Sequence, residues 1–230
     1  EKGVKLRLTG FVDRVDSWVK DGKRYLRVVD YKTGKKSFDF SDVADGRGLQ
    51  MLLYLFSLRR EGQAIFGPEE LVPAGVLYVP ARSPIISGDR AMTDEDSAAA
   101  RQRELRRKGL VLADGEVLSA MEHTDGAYAY LPISPGRGKD DYLVTPEQMD
   151  ELDDYLTRAL EGAAEQLAEG SIDADPYWHN ADMNACRYCD YAAACHFEEC
   201  CGDRVRRRKA LAAGEFWQLL RKKEGENDGL

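Results

Sequence analysis

The sequence has 230 residues, of which 43% are hydrophobic and 32% are charged, with a formal net charge of 33 − 41 = −8. This composition permits one domain with a buried core, and no apolar run approaches the ~20 residues that a transmembrane helix requires. The negative total argues against a protein that coats nucleic acid through overall positive charge, so any DNA contact must come from local patches.

The N-terminal part of the sequence predicts a β-hairpin. Residues 4–13 (VKLRLTGFVD) alternate between apolar and polar side chains, as a half-buried strand does. Asp21-Gly22 is a hairpin turn signal, and residues 25–31 (YLRVVDY) predict the second strand. We therefore expect an antiparallel pair over residues 4–32, with acidic residues toward the strand ends.

Apolar spacing in the middle of the chain predicts a helix followed by a strand. The helix is expected over residues 42–60 and the strand over 72–79, where Pro73 favours an early or edge position. A charged helix is predicted over residues 94–108. Together these elements predict a sheet with at least one packed helix, and so an α/β fold.

The C-terminal half carries the clearest helix signal. Thr145-Pro146-Glu147-Gln148 is a capping box with proline at the first helical position, and the helix that it opens is expected to end before Gly170. A last helix is predicted over residues 204–220, and the polar segment 222–230 is expected to be a disordered tail.

Two aspartates and a lysine are candidates for metal-dependent hydrolysis of a phosphodiester. Asp13 ends GFVD, and Asp30 and Lys32 lie in VVDYK, where alternate strand residues share a face. Magnesium prefers hard oxygen ligands, and a nearby ammonium neutralises charge on the phosphate. The Tyr31 side chain is expected to point away, while its backbone carbonyl can face the metal.

The predicted helix after the hairpin adds two residues to this candidate site. Gln50 and Tyr54 lie one helical turn apart on one face. An isolated D-x-K triplet is common and indicates little by itself, so the prediction depends on the order and spacing of all three motifs. Asp16 is a rival carboxylate that we interpret as structural.

These motifs resemble those of the PD-(D/E)XK nuclease superfamily, and GFVD, VVDYKTG and QxxxY together are similar to its RecB-type exonuclease branch. The resemblance implies a restriction-endonuclease-like α/β fold with a mixed sheet, a core over residues 1–80 and a helical and cysteine-containing region over 81–221. It implies that Asp13 and Asp30 bind Mg²⁺, that Lys32 assists water attack, and that Gln50 and Tyr54 support the site. The branch also has a metal-binding histidine, which is expected N-terminal to this sequence.

Five cysteines are crowded between Cys186 and Cys201, and a clustered odd number argues for a metal or cluster site rather than disulfides. Cys186, Cys189 and Cys195 have the spacing C-x2-C-x5-C, which is typical of ligands. Three thiolates do not complete a tetrahedral zinc site or a [4Fe–4S] cluster. Zinc with His196 or Cys200 as fourth ligand, and free thiols, are the alternatives.

The cysteine segment resembles the C-terminal end of the AddB family, whose members are subunits of AddAB helicase–nucleases. CRISPR-associated exonucleases have a similar arrangement of cysteines. The resemblance implies that these three cysteines join one cysteine upstream of the nuclease core to hold a [4Fe–4S] cluster. It gives Cys200 and Cys201 no role.

The resemblance implies a metal-dependent DNA exonuclease or endonuclease domain that acts in double-strand-break repair and recombination in the bacterial cytoplasm. Its expected partners are single-stranded DNA emerging from a helicase and a second subunit of the complex, with no membrane, and the chain itself is expected to be monomeric. No Walker A motif is present, so ATP binding by a P-loop is not expected in this sequence. The alternative is a non-cleaving module that binds DNA or a partner and is stabilised by a metal or cluster.

Overall fold

The computed structural model describes residues 5–88, 90–134, 140–207 and 210–227. It shows a mixed α/β fold, as expected, with a five-stranded sheet in the order β1-β2-β3-β4-β5. The strands of this sheet are β1 (Arg14–Lys20), β2 (Lys23–Lys32), β3 (Glu70–Pro80), β4 (Lys108–Leu112) and β5 (Leu143–Val144). The helices are α1 (Phe40–Ala44), α2 (Gln50–Glu61), α3 (Gln63–Phe66), α4 (Asp94–Glu104), α5 (Gly115–Met121), α6 (Pro146–Glu169), α7 (Ala192–Cys195) and α8 (Ala213–Asn227).

The sheet combines antiparallel and parallel pairs. β1 pairs antiparallel with β2, β2 parallel with β3, β3 antiparallel with β4, and β4 parallel with β5. Because β2 and β3 are parallel, their carboxyl ends lie side by side at one edge of the sheet, and the backbone N–H of Ala81 donates to the carbonyl of Lys32 at 2.9 Å. The loops that leave these two strands therefore start next to each other.

The hairpin is present, but its first strand was predicted in the wrong place. Asp21 (φ 50°) and Gly22 (φ 77°) form the turn with two positive φ values, which matches the twist of the flanking strands. The first strand is Arg14–Lys20, whereas residues 5–12 form no regular structure and Val4 lies outside the described residues. Leu6 and Leu8 are 43% and 53% exposed, so the alternation that suggested a strand has no buried face to support it.

The helix predicted over residues 42–60 is two helices. Gly46 and Gly48, between α1 and α2, adopt φ values of 74° and 63°, which a continuous right-handed helix cannot contain. Likewise, β3 is a central strand and not an edge strand. Pro73 is tolerated because it lies at a register shift, where Leu26 faces Pro73 and Arg27 faces Gly75.

Two predictions at the C-terminus also need correction. The helix expected from residue 204 begins at Ala213, and Arg206–Arg207 instead form a short strand, β7, that pairs parallel with β6 (Tyr177–Trp178). The helix α8 continues to Asn227, within the segment predicted to be disordered, and residues 228–230 lie outside the described part of the chain. The capping box of α6 and its left-handed Gly170 are confirmed.

The sheet is covered on both faces. One face packs against α1, α2, α6 and α8 through a core that includes Leu26, Val28, Val76, Phe56 and Phe216. The other face carries Leu77 and Val111, which are buried with Leu118, Leu131 and Ile133. Within the described residues, no helix has both the length and the apolar character needed to cross a membrane.

Candidate active site

The candidate active site lies at the carboxyl end of β2. Asp30 and Lys32 share one face of this strand, and the Lys32 Nζ lies 2.6 Å from Asp30 Oδ2. The Asp30 side chain is only 14% exposed, whereas that of Lys32 is 37% exposed. The pair is therefore set at the boundary between core and solvent, where an anionic substrate can reach the lysine.

Asp13 lies beside this pair, although it precedes β1 and does not end a strand as predicted. In the β1–β2 register Arg14 faces Val29, and continuing that register by one residue places Asp13 opposite Asp30. The Asp13 carboxylate accepts a hydrogen bond of 3.1 Å from the backbone N–H of Tyr31. The Asp13 side chain is thus held against β2, one residue beyond Asp30, just before β1 begins at Arg14.

Tyr31 contributes backbone and side-chain contacts, and its ring points away from the Asp30 face. Its hydroxyl accepts a hydrogen bond of 3.0 Å from Arg14 Nη1, and its side chain is 43% exposed. Its carbonyl as a metal ligand remains a prediction.

Gln50 and Tyr54 are joined, and the glycine of GFVD packs against them. Gln50 Nε2 donates to the Tyr54 hydroxyl at 2.9 Å. A Cβ on Gly10 would lie 2.5 Å from that hydroxyl oxygen and 2.7 Å from Tyr54 Cε1, closer than carbon atoms in folded proteins approach. The absence of a side chain at Gly10 therefore lets the segment that carries Asp13 lie directly on the tyrosine ring of α2.

Tyr78 is a residue of this site that the sequence reasoning missed. It faces Asp30 in the parallel β2–β3 register and is buried, and the Nζ atoms of Lys32 and Lys36 lie 5.9 and 5.5 Å from its ring centroid. Burial raises the pKa of its hydroxyl, and the negative charges of Asp30 and Asp42 raise it further. The signal that would find it is the strand register, which the sequence does not show.

Asp16 lies on the opposite face from Asp30 and has its own partners. It faces Arg27 across the hairpin, forms an ion pair with that arginine, and accepts from Arg14 Nε at 2.5 Å. Burial works to raise the pKa of Asp16, but the hydrogen bonds from Arg27 and Arg14 outweigh it, so that the pKa is lowered. These contacts agree with the structural interpretation of this carboxylate.

The cysteine segment forms a separate candidate site. Cys186, Cys189 and Cys195 line one cavity of about 720 Å³, and its walls also include Arg47, which stacks on Tyr177 at 4.2 Å. Burial raises the pKa of the Cys186 thiol, and the neighbouring thiols of Cys189 and Cys195 raise it further. The three predicted ligands therefore line the same cavity.

These thiols do not form a closed single-ion site. Among the described residues, no three His, Cys, Asp or Glu side chains converge closely enough to hold one metal ion. The Cys200 side chain, considered above as a zinc ligand, lies outside the described part of the chain. Whether these thiols bind zinc or a cluster stays a prediction.

The sequence is similar to those of known nucleases. A sequence profile of the PD-(D/E)XK nuclease superfamily matches residues 1–196. An ATP-dependent helicase/deoxyribonuclease subunit of Acetivibrio thermocellus is 33% identical over 98% of this chain and 20% of its own length. Proteins of the same name from Clostridium novyi and Thermoanaerobacter sp. are 35% and 32% identical over 97% and 99% of this chain, and again over 20% of their own lengths. The chain therefore spans about a fifth of the length of the curated relatives that it matches.

Proposed function

This chain belongs to the PD-(D/E)XK nuclease superfamily, and from that premise we propose that it is the nuclease domain of a helicase–nuclease subunit and cleaves single-stranded DNA with Mg²⁺. The observation that carries the proposal is the group at the end of β2. A largely buried Asp30 holds the Lys32 ammonium at 2.6 Å, and Asp13 is fixed beside them by the Tyr31 N–H. A purely structural ion pair would not need a second carboxylate at this position.

The oxygen atoms of this group fit a divalent cation. Asp30 Oδ2 is buried, and its neighbour is the Lys32 ammonium at 2.6 Å. A carboxylate has about four lone-pair sites on its two oxygens, so Asp30 can bind a cation while it keeps the lysine contact. Asp13 and Asp30, with the Tyr31 carbonyl, would supply the hard oxygens that Mg²⁺ prefers. When bound, such an ion would neutralise phosphate charge and lower the pKa of a water molecule.

The protein's own contribution is to place charge where the phosphate becomes more negative. Lys32 is held by Asp30 and lies over the Tyr78 ring, so its ammonium is fixed in position before substrate arrives. A fixed positive charge that meets developing negative charge needs little reorganisation during the reaction. Gln50 and Tyr54 keep the segment that carries Asp13 in place through the contact with Gly10.

The names of the relatives support the wider context. They are called subunits of an ATP-dependent helicase/deoxyribonuclease. We infer that the protein to which this domain belongs assembles with a partner subunit, receives a single strand from a helicase, and acts in the repair of double-strand breaks in the bacterial cytoplasm.

The cysteine cavity is proposed to hold a [4Fe–4S] cluster. Clusters of this kind are held by four cysteine thiolates, and Cys186, Cys189 and Cys195 would supply three from one cavity wall. The fourth is proposed to come from a segment N-terminal to this sequence. The role of the cluster would be structural, as a link between the C-terminal segment and the rest of the protein.

The test of the nuclease proposal is digestion of labelled single-stranded DNA with Mg²⁺ and with EDTA. Asp30→Asn and Lys32→Met should each lower kcat by at least about 100-fold, as expected for residues that act on the transition state. Asp16→Asn and Lys20→Met are matched controls on the same hairpin and should keep the activity. In the full-length protein, ATP hydrolysis should survive both active-site changes.

Cutting that persists in EDTA, or that is unchanged in both active-site variants, would contradict the mechanism. A wild-type full-length protein that binds DNA but does not cut it under any divalent-metal condition would favour the non-cleaving binding module instead.

A further inference from the structure

A second cavity lies directly beyond the candidate active site. It has a volume of about 530 Å³ and lies between the loop after β2, the loop after β3 and the end of α4, and we refer to it as the β3–α4 cleft. Its lining includes the charged residues Lys35, Arg82, Arg103 and Glu104, together with the loop 83–87 that follows β3.

The cleft is positively charged in a negatively charged protein. Three cations and one carboxylate line it, a net charge of 3 − 1 = +2, whereas the whole chain carries −8. Glu104 is engaged by Arg82 at 2.9 Å, while Lys35 forms no ion pair within the described residues. The cleft therefore offers the Lys35 ammonium to an anion.

The cleft is continuous with the active-site lysine. Lys35 lies three residues after Lys32, so their Cα atoms are at most roughly 11 Å apart. Lys36 and Lys32 have their ammonium groups over the same ring, that of Tyr78, at 5.5 and 5.9 Å. The loop after β2 thus carries cations at both places: Lys36 lies with Lys32 at Tyr78, and Lys35 lies with Arg82 and Arg103 in the cleft lining.

Two arginines of the 101–108 segment, Arg101 and Arg106, form hydrogen bonds with other parts of the fold and do not line this cleft. Arg106 donates to the carbonyl of Leu131 and to Ser134 Oγ, and Arg101 donates to the carbonyl of Pro84. Arg103 is the arginine of this segment that lines the cleft, and its Nε donates to the carbonyl of Ala99.

We propose that the β3–α4 cleft binds the phosphates of the DNA strand next to the scissile phosphate. Lys35, Arg82 and Arg103 of the cleft lining, and Lys36 between the cleft and Tyr78, would supply the positive charge. This inference rests on the proposed nuclease function. Cavities of roughly 300 to 1,000 Å³ hold ligands the size of small molecules, so the cleft has room for one or two nucleotides. The strand would be held there through the charge of its backbone.

The experiment measures binding of a fluorescein-labelled oligothymidylate by anisotropy in EDTA, so that no cleavage occurs, over salt concentrations of about 50 to 200 mM. The variant Lys35→Gln/Lys36→Gln is compared with wild type. The matched control is Lys20→Gln/Lys23→Gln, which removes the same charge at the turn between β1 and β2. That turn lies at the far end of β2, roughly 30 Å from Lys32.

We expect the slope of log K against log salt to fall in magnitude by about 0.7 for each lost phosphate contact, or about 1.4 for the pair, with no change in the control. In Mg²⁺, the KM of the same variant for the oligothymidylate should rise by a larger factor than its kcat falls. Thermal unfolding verifies that each variant is folded.

An unchanged slope in the cleft variant, or an equal change in the control, overturns the proposal, as does a wild-type chain with no salt-dependent binding. These outcomes are independent of cutting, because the binding measurement contains no metal. Absence of cleavage by the wild-type full-length protein in Mg²⁺ would instead overturn the nuclease function.

Discussion

The carboxylate of Asp13 accepts a hydrogen bond of 3.1 Å from the backbone N–H of Tyr31, the residue between Asp30 and Lys32. Asp13 can therefore act in two ways that mutation can separate: through its negative charge and through the hydrogen bond that it accepts. We expect Asp13→Asn to abolish Mg²⁺-dependent cleavage but to keep the contact, because a carboxamide oxygen still accepts from the N–H. Asp13→Ala should also abolish cleavage and should in addition lower the free energy of unfolding by about 1 kcal/mol.

Urea unfolding and cleavage assays on the two variants separate these effects. An Asp13→Asn variant that still cuts at the wild-type rate would show that the charge of Asp13 is not needed, and the metal assignment would fail.

The contact between Gly10 and Tyr54 predicts coupling between two distant parts of the sequence. Gly10→Ala places a methyl group where the Tyr54 hydroxyl and ring now lie, so the ring must move and its hydrogen bond with Gln50 must change. We expect this variant to lower both kcat and stability. In a Tyr54→Leu background the same change should cost less, with a coupling energy of about 0.5 to 3 kcal/mol.

A double-mutant cycle by urea unfolding measures this coupling. Purely additive effects of the two changes would indicate that Gly10 and Tyr54 do not pack together in solution.

Local motifs predicted most of the candidate site because its residues are close in sequence or follow one strand. Asp30 and Lys32 share a face through strand alternation, and the hairpin turn at Asp21-Gly22 brings Asp13 to them. Tyr78 could not be predicted in the same way, since it reaches Asp30 only through the parallel pairing of β2 with β3.

The errors in the fold have similar physical causes. Leu6 and Leu8 alternate as strand residues do, but among the described residues no strand pairs with this segment, and both side chains are exposed. The spacing of apolar residues in 42–60 suits one helix, yet Gly46 and Gly48 take left-handed conformations that divide it. Sequence patterns report which face is apolar and do not report whether a partner is present to cover it.

The Asp16 ion pairs predict a pH dependence of stability. Because the folded-state pKa of Asp16 is lowered by Arg27 and Arg14 against the effect of burial, its ionisation stabilises the fold above its unfolded-state pKa of about 3.9. That stabilisation is lost as pH falls through the folded-state pKa. Asp16→Asn should therefore lower the free energy of unfolding by roughly 1 to 3 kcal/mol at neutral pH.

The difference between wild type and Asp16→Asn should begin to shrink as the pH falls below about 4, where the Asp16 carboxylate of the unfolded chain takes up a proton, and should be lost once the pH lies below the lowered folded-state pKa. Urea unfolding at a series of pH values measures it, and Glu116→Gln, an exposed partner of Lys20, serves as the control with little expected effect. A difference that stays constant across this range would show that the Asp16 charge does not stabilise the fold.

The proposed cluster gives a prediction about metal content. Cys186, Cys189 and Cys195 line one cavity, and a fourth thiolate from an upstream segment would connect two parts of the protein that are distant in sequence. Anaerobically purified full-length protein should contain iron and sulfide in equal amounts and show a visible absorption band.

The variant Cys189→Ser should lose the iron. Limited proteolysis should then cleave the segment 173–207 before it cleaves the sheet, since closing a long loop restricts the unfolded chain. Cys201→Ser is the control, because Cys201 is a nearby cysteine to which the family pattern assigns no role, and it should keep the iron. Stoichiometric zinc without iron, or iron retained in Cys189→Ser, would contradict the cluster and leave these thiols to another ligand.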